Sequence, residues 1–579
     1  MSAQTREAAR CALLEGRWEE AKSGFDHWVQ AQPDSVEALH GLGLVLAQQG
    51  RSREAAERLG AAHLLAPSDI EILRNLGVVL GHAMRLEKAA ECLAEVLERS
   101  PSDAVAARHL VRAYVTLGRP ADALEIMSSF PGLDFGASAL EAKAAVCDWR
   151  TRDADLSQLA LSARAALRDG RPAPCSPFGA IILDLPPDLV RPLGRAAAPP
   201  TSRPPEAPRA PRRAGPWRVG YLSPDLHDHP VGLLLAPVLE HHSSRFDVRS
   251  YALVDADDDV RRRIAKAAPL ISMVDASDDE VFARIAGDEL DLLVDLAGFT
   301  SSARHEVLAR RPAPVQAHWL GYPGSLPSSL IDWQITHESR LGAEGEAAFD
   351  EPLALLPDTF VATEGFPEPV TPPRRSQHGL PDSAFVYGFF GAGYRITPEL
   401  FDGWMLVLRS NSESLMWLQA EGLQRDFLRR EARARGVDPA RLRFAPRGRL
   451  SVQHHHTLAD LWLDGWHVSS GTAGIIAAWT GTPILTLAGP TPPSCTGAGV
   501  LHGARTPELI AESREAYLER AIYWGAHPEA LRPVRARLAQ ARRTAPLFDV
   551  ERFTGDLERA YAEMIARSAR GETPSTFRV

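Results

Sequence analysis

The chain has 579 residues, 45% of them hydrophobic and 24% charged, which is the balance of a soluble globular protein built from three or four units. A net charge of −10 excludes nucleic-acid binding through bulk electrostatics. No apolar run of about 18 residues is present to span a membrane, and the opening MSAQTREAAR lacks the apolar core of a secretory signal. Its five cysteines are odd in number, scattered and never in a C-x-x-C, so they imply neither a disulfide framework nor a zinc site. The expectation is a cytoplasmic, multidomain protein. Only four of the 64 basic residues are lysine (Lys22, Lys88, Lys143 and Lys266), so an arginine here can stand where a relative has lysine.

Residues 1–136 carry an internal repeat. Pro33, Pro67 and Pro101 are 34 residues apart, and Ala21, Ala55, Ala89 and Ala123 keep the same spacing. Gly16, Gly50 and Gly118 follow it too, with Met84 standing in once, and Leu42-Gly43 and Leu76-Gly77 complete the pattern. Apolar residues between these marks recur at helical intervals, as in Leu39, Leu42 and Leu46. Each unit therefore reads as a helix pair that cannot bury its apolar face alone and stacks on its neighbours. The period and residue types resemble tetratricopeptide repeats, an α-solenoid architecture that implies a groove for a protein or peptide.

Residues 137–198 read as a helical connector that loses the period and contains Cys147-Asp148-Trp149. Seven prolines between 199 and 216 predict an extended, solvated basic linker. From Trp217 the pattern becomes alternating strands and helices: strands at Trp217–Leu222, Leu290–Leu296, Ala384–Phe390, Leu415–Leu418, Leu461–Leu463 and Pro483–Leu487, with helices from Val231 and over Gln424–Arg435. This order predicts parallel sheets covered by helices, in two Rossmann-like lobes (217–370 and 371–545) split near residues 365–376. A C-terminal helix and tail follow over 546–579. Ligands in such sheets sit beyond the carboxyl ends of the strands, where the loops carry the interest.

Several of those loops carry recognisable residues. Arg311-Pro-Ala-Pro-Val-Gln-Ala-His-Trp-Leu-Gly-Tyr-Pro-Gly-Ser325, preceded by Asp295–Thr300, resembles the catalytic region of O-linked N-acetylglucosamine transferases of the SPINDLY-like glycosyltransferase family 41. Gly220–Asp225 with His229-Pro230, Tyr394-Arg395-Ile396, Trp479–Pro483, Pro546–Asp549 and the Cys147–Trp149 segment are similar to the same family, in the same order along the chain. The resemblance implies a GT-B fold and a metal-independent, inverting transfer of a sugar from a nucleotide donor to a Ser or Thr of a protein held by the repeats. No cofactor is implied beyond the nucleotide-sugar co-substrate.

Carried over residue by residue, the resemblance makes His229 the active-site histidine, with either its imidazole or the donor phosphate as base. It places donor contacts at Arg395, where the family has a lysine, and at Ser470, Gly471, Thr472, Tyr322, Pro323, Gly324 and Arg449. Ser469–Gly474 also reads independently as a helix start, which offers free N–H groups and a positive dipole end to a phosphate, or else a serine cap. Two other signals point away from metal. The run Asp255, Asp257, Asp258, Asp259 reads as a solvated acidic turn, and successive side chains His454, His455 and His456 diverge on a helix.

The second lobe departs from the family at several donor positions. Gly471 stands for a histidine, Ala473 for a threonine, Ile476 for an aspartate, Ala392 for a glutamine, Cys495 for an arginine, and Val452 for a further histidine. Such a weakened diphosphate cradle favours a CMP-linked nonulosonic acid as donor and a flagellin-like acceptor. Transfer from UDP-N-acetylglucosamine is the alternative reading, and a non-catalytic repeat adaptor is a third.

Overall fold

The computed structural model describes residues 2–201, 215–366, 373–445 and 456–579. Most of the Pro-rich linker, together with Arg449, Val452, His454 and His455, lies outside the described residues. The chain divides into two compact units, Met1–Lys143 and Ala144–Val579.

In the first unit the 34-residue period becomes four helix pairs: α1 (Ala3–Leu14) with α2 (Trp18–Ala31), α3 (Val36–Gln48) with α4 (Ser52–Leu65), α5 (Ile70–His82) with α6 (Leu86–Arg99), and α7 (Ala104–Thr116) with α8 (Pro120–Ser129). The repeated residues do distinct local jobs. The Pro-x-(Ser/Asp) triplets end in Ser35, Asp69 and Asp103, whose side chains cap α3, α5 and α7 by accepting N–H groups of the first turn. Gly43 and Gly77 lie where a Cβ would stand 2.7 Å from the side chains of Leu59 and Leu93, so the paired helices close to contact distance only with glycine there. The turns within pairs need a left-handed residue, supplied by Gly16, Gly50 and Gly118 at φ 72°, 76° and 69°.

The second unit holds two parallel sheets. The first contains β1 (Trp217–Ser223), β2 (Phe246–Ala252), β3 (Leu270–Ser272), β4 (Leu292–Asp295), β5 (Val315–His318), β6 (Trp333–Thr336) and β7 (Leu353–Leu355). The second contains β8 (Val386–Phe389), β9 (Leu415–Gln419), β10 (Leu442–Ala445), β11 (Leu461–Leu463), β12 (Ile484–Leu487) and β13 (Ile510–Ala511). A short β14 (Phe577–Arg578) completes the set. The orders are β14-β7-β6-β5-β4-β1-β2-β3 and β10-β9-β8-β11-β12-β13. Central strands such as β4, β5, β8 and β12 are buried along their whole length, because helices cover both faces of a parallel sheet.

The helices that bear on the site are α9 (Pro230–His241), α10 (Asp259–Ala267), α11 (Gly422–Ala434), α12 (Thr472–Thr480), α13 (Thr496–Gly503) and α14 (Val550–Ala569). Read as a helix and tail from sequence, the C-terminal segment returns to the first lobe. Phe553 stacks on Trp319, the Tyr561 and Tyr221 hydroxyls meet at 2.9 Å, and β14 pairs with β7 at the sheet edge. The connector reaches both lobes. Trp149 packs on Phe401 of the second, and Phe178 and Ile181 join the core of the first.

Met84 is the exception among the repeat turns. It adopts φ 59° with a side chain 38% exposed, so it carries left-handed strain with little packing in return. Met84→Gly is expected to raise stability by about 1 kcal/mol, read as a higher urea midpoint of the full chain, whereas Met84→Ala leaves the midpoint unchanged.

Candidate active site

The loops of interest all leave the carboxyl ends of strands. After β1 the chain runs to His229, which is the N-cap of α9: its Nδ1 accepts the Val231 N–H at 3.3 Å and lies 3.7 Å from Asp225 Oδ1. Burial raises the Asp225 carboxyl to about 6, against a lowering by His227. Asp258, in the run read as a solvated acidic turn, caps α10 and also accepts the Asp228 N–H at 2.9 Å, so it pins the loop that carries His229. Asp257 and Asp259 do behave as surface charges, each paired with Arg262. Sequence reading missed Asp258 because the residue it holds lies 30 positions away.

The Trp319–Ser325 loop is built on a buried ion pair. His318 Nδ1 lies 2.8 Å from Asp295 Oδ2, and its Nε2 lies 3.2 Å from the Tyr322 carbonyl oxygen. Both partners only accept, so both ring nitrogens carry protons and His318 is an imidazolium. Burial pushes its pKa down, but the Asp295 hydrogen bond and charge outweigh it and the net shift is upward. Asp295 also accepts the N–H groups of Ala297 and Gly298, while Glu351, raised to about 7 by burial, takes the Ser325 hydroxyl and the Leu326 N–H. Gly321, at φ 46°, presses against the Leu296 carbonyl, where a Cβ would collide. Of the residues assigned to the donor here, Tyr322 is turned inward, 1% exposed and packed edge-on to Phe299. Its side chain belongs to the core, so only its backbone can border the loop. Gly324 is buried beside it, and Pro323 is half-buried.

In the second lobe the centre is Asp464, fully buried just beyond β11. It accepts from Arg395 Nη2 (2.7 Å), the Ser470 hydroxyl (2.6 Å), the Ser470 N–H (2.9 Å), the Gly465 N–H (2.8 Å) and the Thr486 hydroxyl (2.9 Å). Arg395 further donates to the Val468 carbonyl and to Ser470 Oγ at 3.0 Å. The structure thus brings Arg395 and Ser470 together, as the assignment requires, but commits both to Asp464. Ser470 is not a helix cap. The N-cap of α12 is Gly471, which makes no side-chain cap bond, so Gly471 and Thr472 begin a helix whose first N–H groups are open to an anion. Behind Arg395, the connector inserts. Cys147 lies 3.6 Å from the Gly393 carbonyl and 3.7 Å from Gln424 of α11, and the Ala145 carbonyl fills the space a Cβ on Gly393 would need.

These observations generate two expectations. Asp464→Ala leaves the Arg395 guanidinium buried and unpaired, which is expected to cost about 3–5 kcal/mol, seen as a marked fall in thermal midpoint. For His318, a folded pKa above its ordinary 6.5 gives stability that is complete below that value and lost as pH rises through the folded pKa. His318→Asn is therefore expected to destabilise more at pH 6 than at pH 9, measured by urea unfolding at both.

Comparison with known proteins agrees with this architecture. The description "Glycosyl transferase family 41" matches residues 206–366 and 361–557. A probable UDP-N-acetylglucosamine–peptide N-acetylglucosaminyltransferase SEC of Arabidopsis thaliana is 29% identical over 474 residues, covering 75% of this chain and 47% of that protein. A UDP-N-acetylglucosamine–peptide N-acetylglucosaminyltransferase of Caenorhabditis elegans is 25% identical over 477 residues, covering 61% of this chain and 41% of that protein. The chain thus spans less than half the length of these relatives. Among solved structures, a mutant O-GlcNAc transferase of Thermobaculum terrenum superposes with TM-score 0.59 at 24% identity over 98% of both chains, which shows a shared fold. With helical repeats followed by two parallel-sheet lobes, and with the family's pattern running through both lobes, this chain belongs to glycosyl transferase family 41.

Proposed function

We propose that the protein transfers N-acetylglucosamine from UDP-N-acetylglucosamine to Ser or Thr hydroxyls of a protein acceptor held by the repeats. The observation that carries this is membership of family 41, together with relatives named for UDP-N-acetylglucosamine and peptide. Those names give no support to a CMP-linked nonulosonic donor or a flagellin acceptor, the reading that the altered second-lobe residues favoured. The uridine donor replaces it.

In this reading the acceptor oxygen bonds to the anomeric carbon as the bond from that carbon to the phosphate oxygen breaks. The electron pair leaves with UDP, and the hydroxyl proton passes to a base. The first-turn N–H groups of α12 at Gly471 and Thr472 face the phosphate, and His229 is the candidate base. The geometry sets a condition on that role. While Nδ1 accepts the Val231 N–H, a neutral ring carries its proton on Nε2 and cannot accept another there. Basicity at Nε2 requires a proton on Nδ1, with Asp225 as its acceptor. Asp225 fills that role as a carboxylate, above its pKa of about 6.

The reading is tested by thermal shift of the full chain with UDP, UDP-N-acetylglucosamine, CMP and a CMP-nonulosonate. A ligand at 100 times its Kd stabilises by about 2.7 kcal/mol, and only the uridine compounds are expected to do so. Stabilisation by the cytidine compounds alone restores the nonulosonate donor, and silence from all four favours the non-catalytic adaptor. His229→Ala is expected to abolish N-acetylhexosamine transfer to host-cell proteins, followed by mass spectrometry, while UDP stabilisation persists. Asp225→Asn is expected to lower kcat and to remove the acid limb of the rate profile near pH 6, where protonation of the wild-type carboxyl withdraws the acceptor for Nδ1–H.

A further inference from the structure

Arg340 closes the short turn Glu338–Arg340 that follows β6 in the first lobe, and it is only 7% exposed. Other arginines buried to this degree are satisfied. Arg261 donates to the carbonyls of Leu226 and Val254, and Arg395 is paired with Asp464. Arg340 differs. Among the described residues no carboxylate acts on it, the Cys495 thiol being the one group that favours its charge, and its Nε has no hydrogen-bond partner. Its Nη2 makes one long bond, 3.4 Å, to Thr496 Oγ1, and its Cζ lies 4.6 Å from the Phe360 ring centre. Burial lowers its pKa to about 10, which leaves it charged at neutral pH. A buried cation without an anion is strongly unfavourable, so its retention asks for a negative partner that the folded chain does not itself provide.

The surroundings say what kind of partner. Thr496 is the first residue of α13, whose first turn is already engaged, since the Gly497 N–H donates to Ser469 Oγ at 2.9 Å. Thr496 Cγ2 also lies 3.6 Å from the position a Cβ on Gly471 would take, and Gly471 is the uncapped N-cap of α12. Thr496 therefore lies between the uncapped N-terminus of α12 and a buried, unpaired guanidinium. The α12 end and the guanidinium favour the same sign of ligand charge. Arg395, on the other side of Ser470, has already given its charge to Asp464.

We propose that Arg340 is a first-lobe contact for the phosphates of the nucleotide donor, completing an anion site with the N-terminus of α12. This rests on the donor reading above. As the sugar–phosphate bond breaks, the electron pair collects on an oxygen that Arg340 and the helix N–H groups neutralise.

The test uses the full chain, with Arg340→Met and Arg340→Lys, and three probes in calorimetric titrations: UDP, uridine and inorganic pyrophosphate. Arg340→Met is expected to weaken UDP at least tenfold and to leave uridine unchanged, with Arg340→Lys in between. Without ligand, Arg340→Met is expected to melt at or above the wild-type temperature, since it removes an unpaired buried charge, and this separates lost binding from lost folding. Wild type that ignores UDP yet binds pyrophosphate in an Arg340-dependent way supports the anion site and sinks the uridine donor. Equal UDP affinity in wild type and Arg340→Met overturns the proposal, as does an Arg340→Met protein that melts below wild type, or a wild type that binds neither anion.

Discussion

The second lobe is organised around a single buried carboxylate. Asp464 leaves β11 with no access to solvent and gathers five donors from three separate stretches of chain. Burying that charge is tolerable only because each lone pair is used and a guanidinium faces it. The consequences spread outward. Ser470 is pulled back from the helix end, so α12 starts at Gly471 uncapped, and Arg395 becomes an internal counter-ion. Under the proposed donor reading, the positive character left for a ligand comes from the open N–H groups of α12 and from a cation not already paired.

The first lobe uses a related device. Asp295 ends β4, accepts the Ala297 and Gly298 N–H groups, and holds the His318 imidazolium, which in turn fixes the Tyr322 carbonyl. In each lobe a strand ends in a buried carboxylate that folds the following loop onto itself and takes a cation from a neighbouring strand end. Loop conformation at the carboxyl ends of both sheets is thereby set by buried charge, where the energy of a misplaced partner is large. Rigid loops of this kind suit a site that must hold reacting groups in line.

The sequence discloses these features unevenly, for physical reasons. The repeats are legible because each marker acts locally, as a cap at Ser35, Asp69 and Asp103, a left-handed turn at Gly16, Gly50 and Gly118, or a close approach at Gly43 and Gly77. Even the one substituted marker, Met84, keeps the left-handed turn at φ 59°. Strands such as Leu461–Leu463 are legible because a doubly covered strand is a continuous apolar run. Pairings between distant residues leave no such trace. The return of Phe577–Arg578 to β7, the hold of Asp258 on the His229 loop and the approach of Arg340 to Thr496 each join segments 30 to 223 residues apart, and no local pattern requires them. The role of Asp464 was hidden in the same way: its partners are spread from residue 395 to residue 486.

The same distinction bears on the altered donor positions. Ile476, standing where the family pattern has aspartate, is 8% exposed and belongs to the core of the second lobe. Cys495, standing for an arginine, is 3% exposed, and its thiol donates to the Gly489 carbonyl at 2.9 Å. Neither leaves an unpaired polar group behind, so neither carries the desolvation cost that a half-dismantled polar site would. At residue 495 the lost cation has a neighbour of like charge, since Arg340 reaches the adjacent Thr496 from the other lobe. Under the proposed donor reading, what a phosphate would meet is the summed field of helix ends and side chains, and that sum can be preserved when a guanidinium arrives from a different segment.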